Sequence, residues 1–270
     1  MAHLAAPRLW CSRLVVATCL LTVAAAAQAE PVTAVRFSGS GANRVDVVIL
    51  GDGYTAAEIA SGKYATDIET FVQRVFAQEP YLEYQAYFNV RRVDVTSVES
   101  GSDHPELGTA RNTALDGTYN CSGIQRLVCI NLTKVNDVLS RSALAPTEKD
   151  IILVVVNDTT YGGSGGSIAV SSTNVSSAEI ILHELGHSFG LLADEYGGPP
   201  PPACNSAVEP AAVNATRATT RGTIKWNHWI DAGTAIPTLS FTNGVPGLYA
   251  GAAYCDAGLY RPTLDSKMRS

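Results

Sequence analysis

The sequence predicts an α/β fold, with a mixed sheet and packed helices in an N-terminal lobe over residues 30–196 and an irregular C-terminal lobe over residues 197–270. In the first part, β-branched apolar runs alternate with segments of helical periodicity, as in domains whose helices pack on a sheet. Four consecutive prolines, Pro199–Pro202, then form a stiff extended passage that marks the crossing between the lobes.

The elements of the N-terminal lobe follow from local patterns. Three segments are apolar or β-branched enough to predict strands, over residues 45–50, 88–98 and 150–157. Two segments have the 3.6-residue period of amphipathic helices, over residues 64–78 and 122–140. Thr55-Ala-Ala-Glu58 is the pattern of a capping box and predicts a helix start.

A glycine-rich stretch, Tyr161-Gly-Gly-Ser-Gly-Gly-Ser167, follows the third strand. It lacks the Gly-Lys-Ser/Thr ending of a phosphate-binding loop. Two interpretations stay open: a flexible turn, or a lead into an edge strand over residues 167–172, against which an extended peptide would add by main-chain pairing. Ser176-Ser-Ala-Glu179 then predicts a capping box at the start of the next helix.

That helix carries His183-Glu184-Leu-Gly-His187, an HExxH motif. Residues four apart lie on one helix face, so both imidazoles would reach a single Zn²⁺. Glu184 would then activate the water that such an ion holds, as the catalytic base of a hydrolase. The alternative is a pair of histidines hydrogen-bonded inside a core, but the strand before the helix and its apolar surround favour a metal site at the back of a cleft.

A third metal ligand must follow a break in the helix. Gly190 is placed to break it, and HExxHxxG opens the metzincin consensus, whose third histidine would fall at Ala193. Since alanine binds no metal, Asp194 or Glu195 would be the ligand, and we favour Asp194. The other carboxylate would hydrogen-bond a histidine N–H or cap the turn. His228 is a weaker alternative ligand.

Four stretches together carry a resemblance to a known family: Leu50-Gly-Asp-Gly-Tyr54, Tyr87-Phe-Asn-Val90, the run from His183 to Tyr196, and Gly258-Leu-Tyr-Arg-Pro262. In combination they resemble the IgA peptidase family of secreted bacterial zinc metallopeptidases. The resemblance implies a single metzincin-like zincin catalytic domain over residues 30–270, with zinc as its cofactor. It also implies a Met-turn under the zinc, for which Met268 is the candidate, and Tyr260 is the candidate for a nearby oxyanion-stabilising tyrosine.

The sequence therefore predicts a secreted zinc endopeptidase that acts on protein or peptide substrates. Two alternatives are kept: a catalytically silent or truncated metzincin-like module that binds a surface, and a zinc hydrolase of cell-wall peptides. No pattern in the chain indicates the cleavage preference.

Residues 1–29 predict a signal peptide, with Arg8 and Arg13 before an apolar stretch and Ala27-Gln28-Ala29 as the cleavage site. The protein is therefore expected to be secreted or periplasmic, and no later segment is long enough to anchor it in a membrane. The formal net charge of −6 gives no reason to expect nucleic acid or anionic membranes as partners. We expect a monomer.

Four cysteines follow the signal peptide, and an even number in an exported chain favours two disulfides. Of the three possible pairings we favour Cys121–Cys129 with Cys204–Cys255. The alternative, cysteine ligands on zinc, lacks any CxxC spacing.

Overall fold

The computed structural model describes residues 29–198, 204–239 and 244–269. The predicted signal peptide, apart from Ala29, and the proline run Pro199–Pro202 lie outside these residues. Eight strands are present in the described part: β1 Val32–Arg36, β2 Val45–Asp52, β3 Phe88–Val93, β4 Ile151–Val156, β5 Gly163–Ser164, β6 Ala169–Ser172, β7 Tyr249–Ala252 and β8 Cys255–Arg261. The α-helices there are α1 Ala56–Ala60, α2 Lys63–Phe76, α3 Tyr81–Tyr84, α4 Leu132–Arg141 and α5 Ser177–Ser188.

Six strands form one mixed sheet in the order β1-β3-β2-β4-β6-β5. The four inner strands are parallel, and both outer strands, β1 and β5, run antiparallel to their neighbours. The prediction of a mixed sheet is thus confirmed, but that of an edge strand over residues 167–172 is wrong. β6 lies inside the sheet, and the glycine-rich stretch supplies the edge strand β5. Glycine disfavours strands intrinsically, so the local pattern indicated a turn where sheet pairing prevails.

Both faces of the sheet are covered, which explains why the central strand β4 is apolar at every position. Val47 and Ile49 of β2 share a core with α2 and α5. Val48 and Leu50, which point to the opposite face, share a second core with α4. The sheet therefore holds α5, the helix with the HExxH motif, rigidly on one face.

Two of the predicted local features differ from the structure. The helix predicted over residues 122–140 is present only as α4, which begins after Asn131, whose side chain accepts bonds from two backbone N–H groups. The preceding segment is instead a loop closed by the Cys121–Cys129 disulfide. The capping box at Thr55 is confirmed, whereas Ser176 makes no side-chain cap. The hydroxyl of Ser177 instead lies 2.7 Å from that of Ser172, which ties the helix start to β6.

His104 is buried. Its Nδ1 lies 3.0 Å from the carboxylate of Glu106 and its Nε2 lies 2.9 Å from that of Asp158. The ring stacks on Tyr119 at 4.3 Å. Burial disfavours the charged imidazole, but the two carboxylates outweigh this effect and raise the pKa of His104.

The segment after Tyr196 is irregular in its described residues, apart from the hairpin of β7 and β8 and two 3₁₀ turns. Both predicted disulfides are present, and Cys204–Cys255 ties the start of this segment to β8. Across the described ranges, no helix is long and apolar enough to cross a membrane.

Candidate active site

His183 and His187 lie one turn apart on α5, with their Nε2 atoms 3.1 Å from each other. The Nδ1 of His183 lies 2.8 Å from the carbonyl oxygen of Lys267, and the Nδ1 of His187 lies 2.8 Å from that of Leu192. Because a carbonyl oxygen only accepts, each Nδ1 must carry the proton and donate it. Both Nε2 atoms are thereby left as acceptors that face the same point, which is the arrangement of two metal ligands.

The chain leaves α5 in a tight turn that brings Asp194 to these histidines. Gly190 has to be glycine, because a Cβ there would lie 2.8 Å from the carbonyl oxygen of Gly186. Leu191 has a positive φ of 53° and completes the turn. Asp194 Oδ1 then lies 3.1 Å from Nε2 of His183 and 3.2 Å from Nε2 of His187.

The three donor atoms fit a small tetrahedral metal ion. Asp194 is only 5% exposed, and its Oδ1 is buried without a hydrogen-bond partner of acceptable geometry among the described residues. Ligands about 2.0 Å from a tetrahedral Zn²⁺ stand roughly 3.3 Å apart, close to the 3.1–3.2 Å separations seen here. His183, His187 and Asp194 thus form a group that could hold a metal ion.

The other carboxylate oxygen of Asp194, Oδ2, accepts a hydrogen bond from the phenol of Tyr254. Tyr254 and Ala253 form the two-residue turn between β7 and β8, with φ values of 65° and 47°. Residues with a Cβ rarely adopt this conformation, so surrounding contacts must stabilise it. The N–H of Ala253 donates to the carbonyl of Asp194 at 2.8 Å, and that of Tyr254 donates to the carbonyl of Tyr196 at 3.1 Å.

Met268 lies directly beneath the helix, where a Cβ on Gly186 would come within 2.2 Å of its Sδ atom. The methionine is 4% exposed, and the residue before it, Lys267, provides the carbonyl that orients His183. Met268 therefore packs against α5 next to the residue that orients His183.

Glu195, the other predicted ligand, is turned away from the histidines. Its N–H donates to the carbonyl of Met268 at 2.7 Å, and its carboxylate accepts from the hydroxyl of Ser266 at 2.7 Å. The side chain of Asn214 binds the same carboxylate at 3.0 Å and both backbone groups of Ala193 at 2.8 Å. Glu195 therefore anchors the Met268 segment to the turn that presents Asp194.

Burial and mutual charge set the electrostatics of the site. Burial raises the pKa of Glu184, although the two histidines oppose this shift. Burial would also raise the pKa of Asp194, but the closeness of the two imidazoles and the hydrogen bond from Tyr254 lower it well below the usual range. Asp194 in turn raises the pKa of His187 to about 9. A carboxylate that attracts a proton to this point would equally attract a divalent cation.

A family model described as IgA Peptidase M64 matches residues 33–243, which include the whole of α5 and Asp194. The chain belongs to the IgA peptidase M64 family. Tyr254 and Met268 lie beyond the matched residues. No curated protein matches the chain.

The cleft of this M64 peptidase has a volume of about 490 Å³ and opens beside Glu184, His187, Asp194 and Tyr254. A larger, mostly apolar cavity of about 580 Å³ lies on another face of α5, and none of the three candidate ligands lines it. The chemistry of a peptidase therefore belongs to the smaller cleft, where the titratable groups converge.

Gly165, at the end of the glycine-rich edge strand, makes the closest approach to Glu184. A Cβ at this position would lie 1.6 Å from its Oε2. Gly166 continues along the cleft. The absence of side chains here lets the main chain pass directly over the carboxylate, a use of glycine that sequence reasoning missed.

Two other predicted residues lie elsewhere in the M64 peptidase. His228 is exposed and packs on Trp229 at 4.6 Å between ring centres. Tyr260, the predicted oxyanion tyrosine, packs against the apolar cluster around Trp226. The tyrosine whose hydroxyl binds Asp194 is Tyr254, and sequence reasoning did not single it out.

Proposed function

We propose that the protein is a secreted zinc-dependent endopeptidase that hydrolyses peptide bonds of protein substrates within a metzincin-like catalytic domain. The observation that carries the proposal is the convergence of His183, His187 and the buried, unpartnered Oδ1 of Asp194 at separations that suit one tetrahedral ion. Two imidazoles and a carboxylate form a donor set typical of catalytic zinc, which takes three protein ligands and keeps one position open.

A bound zinc ion would supply Lewis acidity and make a water molecule more acidic. Glu184 accepts the proton of the attacking water and later returns it to the leaving amine. Its pKa is raised by burial, which brings the carboxylate closer to the value that suits a base near neutral pH. Tyr254 occupies Oδ2 of Asp194, so that Oδ1 is left for the metal. The carbonyls of Lys267 and Leu192 hold the two imidazoles in one tautomer.

We infer that an extended substrate pairs with the main chain at Gly165 and Gly166. These residues follow the edge strand β5, border the cleft and carry no side chain that would block a peptide. The sequence had suggested residues 167–172 as the strand that pairs with substrate, but β6 is flanked on both sides by other strands. Export of the monomer into an oxidising compartment is supported by its two disulfides.

The decisive experiment compares residues 30–270 with the Glu184→Gln variant for metal content and casein cleavage. We expect about one zinc per chain in both proteins, activity only in the wild type, and loss of that activity on chelation with recovery on adding zinc. Glu179→Gln, at an exposed position of the same helix, is the matched control and should remain active.

Other results would support the alternatives or end the proposal. Wild-type protein that binds zinc but cleaves no protein would indicate a silent surface-binding module, and cleavage of purified peptidoglycan alone would indicate a cell-wall hydrolase. Protein that binds no zinc would refute the metal site itself.

A further inference from the structure

The loop between Cys121 and Cys129 forms one wall of the sheet edge next to the cleft. The N–H of Gly163 in β5 donates to the carbonyl of Arg126 at 3.0 Å, and the N–H of Val128 donates to the carbonyl of Gly163 at 3.3 Å. The hydroxyl of Ser164 adds a bond of 2.6 Å to the carbonyl of Val128. The outer side of β5 is therefore already paired at Gly163, and the disulfide closes the loop that pairs with it.

This pairing limits the path of a substrate. A peptide that pairs with Gly165 and Gly166 meets the loop just beyond Ser164 and has to leave the sheet edge over it. Arg126 lies opposite Gly163. Gly163 precedes Gly165 by two residues, a separation of about 7 Å along a strand. Gly165 itself touches the carboxylate of Glu184. Arg126 thus lies beside the peptide only a few residues from the bond that would be cut.

The guanidinium of Arg126 is available to a ligand. The residue is exposed, and its side chain makes no hydrogen bond and no ion pair with any residue in the described ranges. Lys267, by contrast, pairs with Glu179 of α5.

We propose that Arg126 binds a carboxylate of the substrate, an Asp or Glu side chain within a few residues of the scissile bond, and so makes the enzyme selective for acidic sequences. The inference rests on the proposed peptidase function. Arg126 is the residue that determines specificity, because a guanidinium recognises a carboxylate by paired, charge-assisted hydrogen bonds. The chain as a whole, with a formal net charge of −6, would not attract such substrates.

The test uses a casein peptide cut by the wild type, remade with Glu or Gln at each of four positions on either side of the cut. At one or more positions, we expect kcat/KM to be about tenfold higher for Glu than for Gln. The ratio should fall to about one in Arg126→Ala and below one in Arg126→Glu. Arg74→Ala removes the same charge from α2 and should keep the wild-type ratio.

Binding provides a second readout that does not depend on turnover. The affinities of Glu184→Ala for the same labelled peptides, measured by fluorescence anisotropy, should show the same Glu-to-Gln preference. The double variant with Glu184→Ala and Arg126→Ala should lose it. A peptidase whose Glu-to-Gln ratios are unaffected by Arg126→Ala in both measurements would overturn the proposal and leave the proposed function intact.

Should a fixed set of casein peptides bind with an Arg126-dependent preference but remain uncut, the peptidase function would fail and the carboxylate site would stand. If Arg126→Ala lowered kcat/KM equally for Glu and Gln peptides, Arg126 would act only through Glu184, and this result would also overturn the proposed carboxylate site.

Discussion

Replacing Tyr254 with phenylalanine removes one hydroxyl from the site and keeps the ring. That hydroxyl donates to Oδ2 of Asp194, a carboxylate only 5% exposed. A hydrogen bond to a charged, buried group contributes about 1.5–3 kcal/mol, and loss of a partner that orients a metal ligand weakens metal binding by about 10- to 100-fold. We therefore expect the zinc dissociation constant of Tyr254→Phe to rise by one to two orders of magnitude, on the order of 2 kcal/mol.

The assay is a competition titration of zinc against a chelator of known affinity, followed by kcat/KM at saturating zinc. Tyr260→Phe, in the same hairpin but packed in an apolar cluster, is the matched control and should bind zinc like the wild type. A Tyr254→Phe protein with unchanged zinc affinity would refute the reasoning. If activity at saturating zinc fell while affinity held, Tyr254 would act on the substrate instead of on Asp194.

Two further predictions concern the sheet edge and a buried ion pair. Gly165→Ala should abolish peptidase activity while the far-ultraviolet circular dichroism and zinc content stay unchanged, because its Cβ would overlap the carboxylate of Glu184; full activity would exclude this close approach. His104→Gln should lower the free energy of unfolding by about 1–3 kcal/mol in urea titrations at low pH. Because the folded pKa of His104 is raised by Asp158 and Glu106, its contribution is fully present below about pH 6.5 and is lost as pH rises through the folded value. A difference in unfolding free energy between the wild type and His104→Gln that grows as pH rises would contradict this.

The histidine pair, the position of Glu184 between them and the central strands were open to prediction because each depends on local periodicity. An HExxH motif on a helix fixes the two imidazoles within a single turn, and β2 and β4 are apolar on both faces because helices cover both. For these features one segment, read alone, contains the information. The number of disulfides followed from the cysteine count and the predicted signal peptide, whereas their pairing was favoured among three possibilities.

The remaining parts depend on tertiary pairing that no local pattern records. β5 is made of Gly163 and Ser164, whose propensities disfavour a strand, and it exists because β6 and the Cys121–Cys129 loop flank it. Tyr254 meets Asp194 across 60 residues of chain. It does so through a turn with two positive φ values at residues other than glycine, which a sequence pattern would argue against.

The candidate metal site lies where two parts of the chain meet. His183 and His187 belong to a helix fixed on the sheet, whereas the groups that orient Asp194 and His183 come from the hairpin turn at Tyr254 and the segment at Lys267. Both segments lack long regular elements and are tied down by Cys204–Cys255 and by backbone bonds at Glu195. A metal that binds all three ligands would therefore hold the C-terminal segment against the helix, so that its binding energy also stabilises the fold. The turn at Ala253 and Tyr254 can hold its strained backbone angles because it is fixed on both sides. Its N–H groups bind the carbonyls of Asp194 and Tyr196, and the Cys204–Cys255 disulfide follows it directly.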